Sequence, residues 1–438
     1  MEGYTRSDII KVATLSTIGT TIEWYDFFIS ATAASTVWPY IYFNSQNVGV
    51  ALLYSLLIFS TGFLDRPIGA IIFGNIGDKR GRKETLVYTL LLMGLGTLGI
   101  GLTPPYLSTG SWPGIGIFAP ILLIIFRLLQ GLAVGGEWGG ASTIVTEYAA
   151  KSKYRAFWAS WVQQGVPLGI IAASVAFIAL QVSFPGKAFF DWGWRIAYYI
   201  GAAILLIGAL IRYRVLESPV FKKIIQKRAI LNIPFARLIK NEWRTVLLLA
   251  LGWAYNNALF YVIISFVQYY IIALGFPQSF PQELILIASI MGMFLIILGA
   301  ILADRVGRKP VIIISTLVSS ILIFVFFMLL NTKDIGLMFL GSILISTGYL
   351  GYAVYSAFFS EQFPTRYRYS GSSFSYHLST PISGGLAPVI ASYIYALFNN
   401  NYLLAWPYIA LMVFIYGVIS AIVISLTKET VRIELEEE

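Results

Sequence analysis

Gly74-Asn75-Ile76-Gly77-Asp78-Lys79-Arg80-Gly81-Arg82-Lys83 is answered half a chain later by Ala300-Ile301-Leu302-Ala303-Asp304-Arg305-Val306-Gly307-Arg308-Lys309. The Asp, Gly, Arg and Lys positions recur at an offset of 226 residues, Asp78 to Asp304. The chain therefore reads as two related halves. Each copy lies between two long apolar segments, where a tight turn of glycine and fixed charge has no place in a water-soluble core.

Working outward, the 438 residues are 58% hydrophobic and 12% charged, with mean hydropathy +0.76. Soluble domains average about 25% charged residues. Twelve apolar stretches fall near 12–39, 48–73, 84–103, 115–147, 155–182, 192–213, 243–273, 281–303, 310–330, 336–361, 369–398 and 403–427. Each suffices for a ~30 Å hydrocarbon core, which takes roughly 20 helical residues. Lipid offers the backbone no hydrogen bonds, so segments of this length must be helices. The expected fold class is an all-α polytopic membrane protein of two pseudo-symmetric six-helix bundles, 1–213 and 243–438, joined by a basic linker, 214–242.

The net charge of +9 does not imply nucleic acid as a partner. With a cytoplasmic N-terminus, Lys187, Arg195 and Lys333 lie outside, Arg66 and Arg127 lie within spans, and the other 25 of 30 basic residues lie inside. That bias fixes orientation and puts both termini in the cytoplasm, in an inner or plasma membrane. Only a short polar leader, Met1 to Lys11, precedes the first span, which is expected to serve as the insertion signal. The linker's Lys222, Lys223, Lys227, Arg228, Arg237 and Lys240 suit anionic lipid headgroups. With no cysteine and one histidine, disulfides, thiol catalysis and cysteine metal sites are excluded, and transition-metal binding is not expected. No nucleophile–base pair stands among the intramembrane polar residues, so an enzyme is not expected. A monomer is expected, with no cofactor beyond a proton as coupling ion.

An ionisable residue at the bilayer centre costs about 2.5–3.5 kcal/mol on insertion scales, which makes each one a functional candidate. Glu23 and Asp26 share one face of the first span. Depth places Asp26 level with Arg127 of the fourth span, while Asp65 and Arg66 lie lower, about level with Glu137. Two readings of Asp26, Glu23 and Arg127 stand side by side: a proton carrier tuned by an arginine that also suits a substrate carboxylate, or a static intramembrane ion pair. Arg66 and Glu137 suit gating or structural pairing. Tyr255, Asn256 and Asn257 of the seventh span, Tyr349, Tyr352 and Tyr355 of the tenth and Gln163 and Gln164 of the fifth either line a polar cavity or bridge helices. Gly131, Gly135 and Gly139 are read as helix packing, and His377 as a helix-packing partner. The fourth and tenth spans end alike, in Glu147 with Arg155 beyond and in Glu361 with Arg366 and Arg368 beyond.

These residues carry a resemblance. Gly74 through Lys83 and Arg127-Leu128-Leu129-Gln130-Gly131 resemble loop and fourth-span motifs of the major facilitator superfamily. Glu23-Trp24-Tyr25-Asp26-Phe27, Gly62 through Gly69, Gly135-Gly136-Glu137-Trp138-Gly139, Trp192-Gly193-Trp194-Arg195, Leu216-Glu217-Ser218-Pro219 and Phe363 through Arg368 are similar to its metabolite:proton symporter family. The resemblance implies a rocker-switch fold whose spans one, four, seven and ten line a central cavity, and proton-driven uptake of a small carboxylate or zwitterion. It also implies a cytoplasmic gate in which Asp78, Arg82 and Glu147 act together, with Asp304, Arg308 and Glu361 as the second half's counterparts. A facilitator, a proton-antiporting exporter of the same fold and a transport-like sensor remain as alternatives.

Overall fold

The computed structural model describes residues 5–45, 47–80, 82–214, 234–364 and 368–435, with backbone alone at 74, 75, 77–80, 82–86, 211–214 and 234. Asp78 and Arg82 fall among the backbone-only positions, and Arg366 lies outside the described residues. The described residues form twelve long helical passes. In the first half these are α1 (Arg6–Thr36), α2 (Val48–Phe73), α3 (Arg82–Leu102), α4 (Phe118–Tyr148), α5 (Arg155–Ser183) and α6 (Phe189–Leu210). In the second they are α7 (Phe235–Ala273), α8 (Phe280–Val306), α9 (Arg308–Asn331), α10 (Ile335–Glu361), α11 (Arg368–Leu397) and α12 (Tyr402–Ser425).

Local chemistry sets several boundaries. Thr5 and Asp8 exchange a capping box that starts α1. The step between the two repeats of the charged turn is also visible. Gly307, at φ 115°, separates α8 from α9, a backbone conformation that favours glycine. Ala300 holds the position of Gly74 in the second copy, and there the close approach passes to Gly299. A Cβ on Gly299 would stand 2.2 Å from the Leu350 carbonyl oxygen.

The helical spans are not continuous throughout, as the repeat-related α4 and α10 show. α4 is interrupted between Val134 and Trp138, and α10 between Ile345 and Gly348 and again between Tyr352 and Tyr355. Gly135 explains the first break's packing. A Cβ there would meet the Arg66 carbonyl oxygen at 2.2 Å, so α4 lies directly on α2. π-helical turns at Phe189–Gly193, Val262–Phe266 and Thr380–Gly385 further bend α6, α7 and α11.

The linker also ends before its expected bound at 242. Residues 215–233 lie outside the described residues, but the helix of α7 already begins at Pro234 and bends at Glu242 (φ −126°, ψ 17°). The reason is an apolar face: Leu238 is buried, and Phe235 packs edge-on against Phe374 of α11 at 4.8 Å.

Within the halves α1 packs on α5, α3 on α6 and α9 on α12. Between them α5 packs on α8, and α2 on α11. These two cross-contacts are each other's counterparts under the repeat, so the duplication read in the charged turns is also a duplication of packing. Halves joined along two such seams enclose a space between them.

Candidate functional site

That space holds a cavity displaced into the second half. Trp253, Asn256, Asn257 and Phe260 of α7 line it, at helical spacings of three and four that put them on one face. Tyr255 falls on the opposite face. Its hydroxyl donates to Ser319 Oγ at 2.7 Å and its amide to Ser420 Oγ at 3.0 Å, so it fastens α7 to α9 and α12 and does not line the cavity. Tyr349 and Tyr352 of α10 do line it. Tyr355 holds Asn256 from behind, accepting from its Nδ2 at 3.4 Å while donating to the Gly252 carbonyl at 2.9 Å. Gln164 lies outside the lining and donates to Met293 O at 2.9 Å across the α5–α8 seam. Gln163 also crosses between halves, accepting from Trp138 Nε1 and donating to Tyr352 O, each at 3.0 Å.

Among the described residues the lining holds no Asp, Glu, Lys or Arg. Three buried donors in it, Trp253 Nε1, Asn257 Nδ2 and Tyr352 Oη, have no hydrogen-bond partner. A donor without an acceptor in an apolar wall costs about 1–3 kcal/mol, which an incoming oxygen atom recovers. Walls of this kind suit a small molecule with acceptor oxygens and an apolar body. The lining helices are α1, α5, α7, α8, α10 and α11, which departs from the expected four by leaving out α4. The cavity's displacement into the second half accounts for that.

α4 contributes instead to a charge cluster inside the first half. Asp26, Thr97, Arg127 and Gln130 are all buried. Gln130 donates through Nε2 to Asp26 Oδ2 at 2.9 Å and accepts through Oε1 from Arg127 Nη1 at 2.7 Å. The Thr97 hydroxyl donates to Asp26 Oδ1 at 2.5 Å. The direct pairing of Asp26 with Arg127 read from their equal depth is thus an amide bridge. Arg127 Nη2 donates to Phe59 O at 3.0 Å, in room left by Gly62, whose Cβ would stand 2.5 Å from that nitrogen. With both Nη groups engaged and no place in the large cavity's lining, Arg127 is not positioned to hold a substrate there. Thr97 and Gln130 were missed as site residues. Gln130, one helical turn from Arg127 in an apolar span, was the available signal.

A second, much smaller cavity gathers Glu23, Arg66, Trp138 and His377, and shares Trp24 and Tyr376 with the large one. Glu137 is buried at the break in α4, outside both linings.

The remaining charges meet at the face that carries the described chain ends. Asp304 caps the start of α5 across the seam, accepting from the Ala156 and Phe157 amides at 2.9 and 3.0 Å. Carboxylates favour helix N-termini because four amides there lack partners. Arg308 binds Asp304 at 2.8 Å and Glu361 at 3.0 Å, and Arg155 reaches Glu361 at 3.1 Å from the other half. Glu147 pairs with Arg368 at 3.2 Å, a residue quoted in the sequence reading but not assigned a gating role. The tail after α12 joins in: Thr430 Oγ1 donates to Glu361 Oε2 at 2.6 Å, and Arg155 to Ile433 O at 3.0 Å.

A family model described as Major Facilitator Superfamily matches residues 27–375 and 284–436. The chain is 37% identical over 391 residues to the inner membrane metabolite transport protein YhjE of Escherichia coli, covering 88% of this chain and 87% of that one. It is 32% identical to the shikimate transporter of Escherichia coli, covering 96% and 95% of the two chains. A glycine betaine/proline/ectoine/pipecolic acid transporter of Dickeya dadantii is 31% identical over 90% of this chain and 79% of its own. Among solved structures, the xylose transporter XylE from E. coli in a partially occluded inward-open conformation superposes with TM-score 0.73 at 17% identity, covering 97% and 99% of the two chains. A twelve-helix membrane protein that matches this family model nearly end to end, and such relatives over nearly their whole lengths, belongs to the major facilitator superfamily, among its metabolite transporters.

Proposed function

We propose that this transporter imports a small metabolite, a carboxylate or zwitterion, together with a proton, by alternating access of the central cavity. The observation that carries the reading is the bridge between Asp26 and Arg127. A buried carboxylate held by two neutral donors, with its arginine one amide away, needs only a rotation of Gln130 to change its electrostatic partner. Such a group suits loading and release of a proton, whereas a locked bidentate ion pair does not. Both termini are taken as cytoplasmic from the distribution of lysine and arginine. On that orientation the Asp304–Arg308–Glu361–Arg155 network is the closed inner gate, and inward opening requires its rupture. The relatives named for shikimate and for betaine and proline supply the substrate class.

The test is uptake into proteoliposomes under an imposed pH gradient. Asp26→Asn is expected to abolish proton-driven accumulation while leaving substrate exchange measurable. Accumulation by Asp26→Asn at the wild-type level would refute proton coupling through this residue. Flux that ignores the gradient in the unaltered protein would favour a facilitator.

A further inference from the structure

The smaller cavity holds two groups that the proton-coupled reading does not use. His377 on α11 is fully buried, and neither ring nitrogen has a hydrogen-bond partner. A buried imidazole always carries at least one acceptor or donor that needs one, so two idle nitrogens require an explanation. Arg66 on α2 is 2% exposed, with its guanidinium carbon 4.5 Å from the ring centres of both Phe27 and Phe63. The two rings stand only 5.4 Å apart, to one side of it, and its donors are not used up: Nε has no partner and Nη1 reaches Tyr261 Oη only at 3.5 Å. Glu23 lines the same pocket, so an arriving anion meets a carboxylate there as well as this guanidinium.

We infer that Arg66 and His377 form the anion-receiving pole of the transport site, which takes the single carboxylate of a monocarboxylate whose uncharged, largely apolar body lies in the large cavity. The two spaces abut through the shared side chains Trp24 and Tyr376. The large lining offers three neutral donors and no cation, so a second carboxylate placed there goes unpaired in a low-dielectric wall. Glu23 opposes a second negative charge at the pole itself. The arrangement therefore selects one negative charge and rejects two. This assignment rests on the central cavity being the transport site.

The test uses the purified full chain and quenching of its intrinsic tryptophan fluorescence, since Trp24, Trp138 and Trp253 line the two spaces. The probes are cyclohexanecarboxylate, its neutral amide and trans-cyclohexane-1,4-dicarboxylate. The monocarboxylate is expected to bind saturably, with the amide and the dicarboxylate at least about tenfold weaker. Arg66→Gln should bring carboxylate and amide within about twofold of each other. If Arg66→Gln does not fold, Arg66→Lys should weaken the carboxylate severalfold and leave the amide unchanged. His377→Phe should weaken the carboxylate more than the amide; an unchanged carboxylate affinity would mean that the ring serves structural water only, and would overturn the pole. Absence of carboxylate binding, tighter dicarboxylate binding, or indifference to Arg66→Gln would also overturn it. Asn257→Leu separates the two levels of the argument, because it should weaken carboxylate and amide alike. Carboxylate binding that responds to Asn257→Leu but not to Arg66→Gln removes the pole and keeps the cavity; indifference of all probes to Asn257→Leu removes the cavity as transport site.

Discussion

The two halves use buried charge in opposite ways. In the first, Asp26 and Arg127 never touch; an amide and a hydroxyl stand around the carboxylate. In the second, Asp304, Arg308 and Glu361 make direct contacts of 2.8 to 3.0 Å and reach across to Arg155 and the start of α5. The first arrangement has a low cost of changing partners, and the second a high cost of separation. A carrier needs both, a site whose protonation state can change and a gate that stays shut until that change is made.

The comparison is broken most severely at its hub. Glu361 accepts from Arg155, Arg308 and Thr430, so Glu361→Gln leaves two buried guanidinium groups short of their counter-charge. Removal of one partner of a buried pair costs about 3–5 kcal/mol, and the loss falls on the closed arrangement. The expected result is a protein that opens at this face. The chain has no native cysteine, so a single Ser142→Cys reporter, whose parent hydroxyl meets the Ser356 carbonyl across the seam, reads this directly by maleimide labelling. Labelling should rise in Glu361→Gln, and an unchanged rate would show that the network does not hold the gate.

The bridged cluster should respond to a smaller change in a different observable. Gln130→Leu deletes the amide that touches both Asp26 and Arg127, at a cost to stability of about 1–3 kcal/mol for the polar groups it strands. Proton-driven accumulation should fall sharply, while labelling of the Ser142→Cys reporter stays near that of the unaltered protein. Loss of both together would merge the two clusters into one structural unit.

Tyrosines sharpen the contrast between lining and fastening. Tyr255→Phe removes a 2.7 Å bond to Ser319 and should lower stability by about 1 kcal/mol without altering ligand affinity. Tyr352→Phe deletes a buried hydroxyl that has no protein partner, so ligand affinity should fall while the melting temperature rises. Thermal unfolding alongside tryptophan quenching distinguishes the two.

The sequence made the architecture readable because spans are written in long apolar runs and the repeat in four charged or glycine positions. It left Asn256, Asn257, Tyr349 and Tyr352 between cavity lining and helix bridging, and in the structure all four line the cavity, on shared helix faces. The same polar run could not separate Tyr255, which bridges helices, from its neighbours, because one residue is about 100° of helix and no single span reveals which side faces a neighbour. The bridging role of Gln130 and the cap made by Asp304 were illegible for a related reason: each depends on the register between two helices remote in sequence. Ala300 marked a missing glycine, yet the neighbouring Gly299 makes the approach, a one-residue shift that only packing exposes.

The smallest expected effect lies at the edge of the gate network, in the tail beyond α12. Glu429 accepts from the backbone amides of Arg308 and Lys309 at 2.9 and 3.0 Å, so it caps α9 much as Asp304 caps α5. Burial tends to raise its carboxyl, but the amides of Arg308, Lys309, Val431 and Thr430 outweigh burial and hold it below its ordinary 4.5. A carboxyl depressed by folding contributes stability that is fully present above its unfolded value and is lost as pH falls through the folded one. The tail should therefore be docked at pH 7 and loosen as pH drops below the ordinary 4.5 toward the lower folded value. Glu429→Gln removes this dependence, since a neutral amide neither titrates there nor complements the helix start equally well. Hydrogen exchange over residues 426–435 should show protection that declines with acid in the unaltered chain and is weaker and flat with pH in Glu429→Gln. Acid-dependent protection that persists unchanged in the variant would show that Glu429 is not what docks the tail.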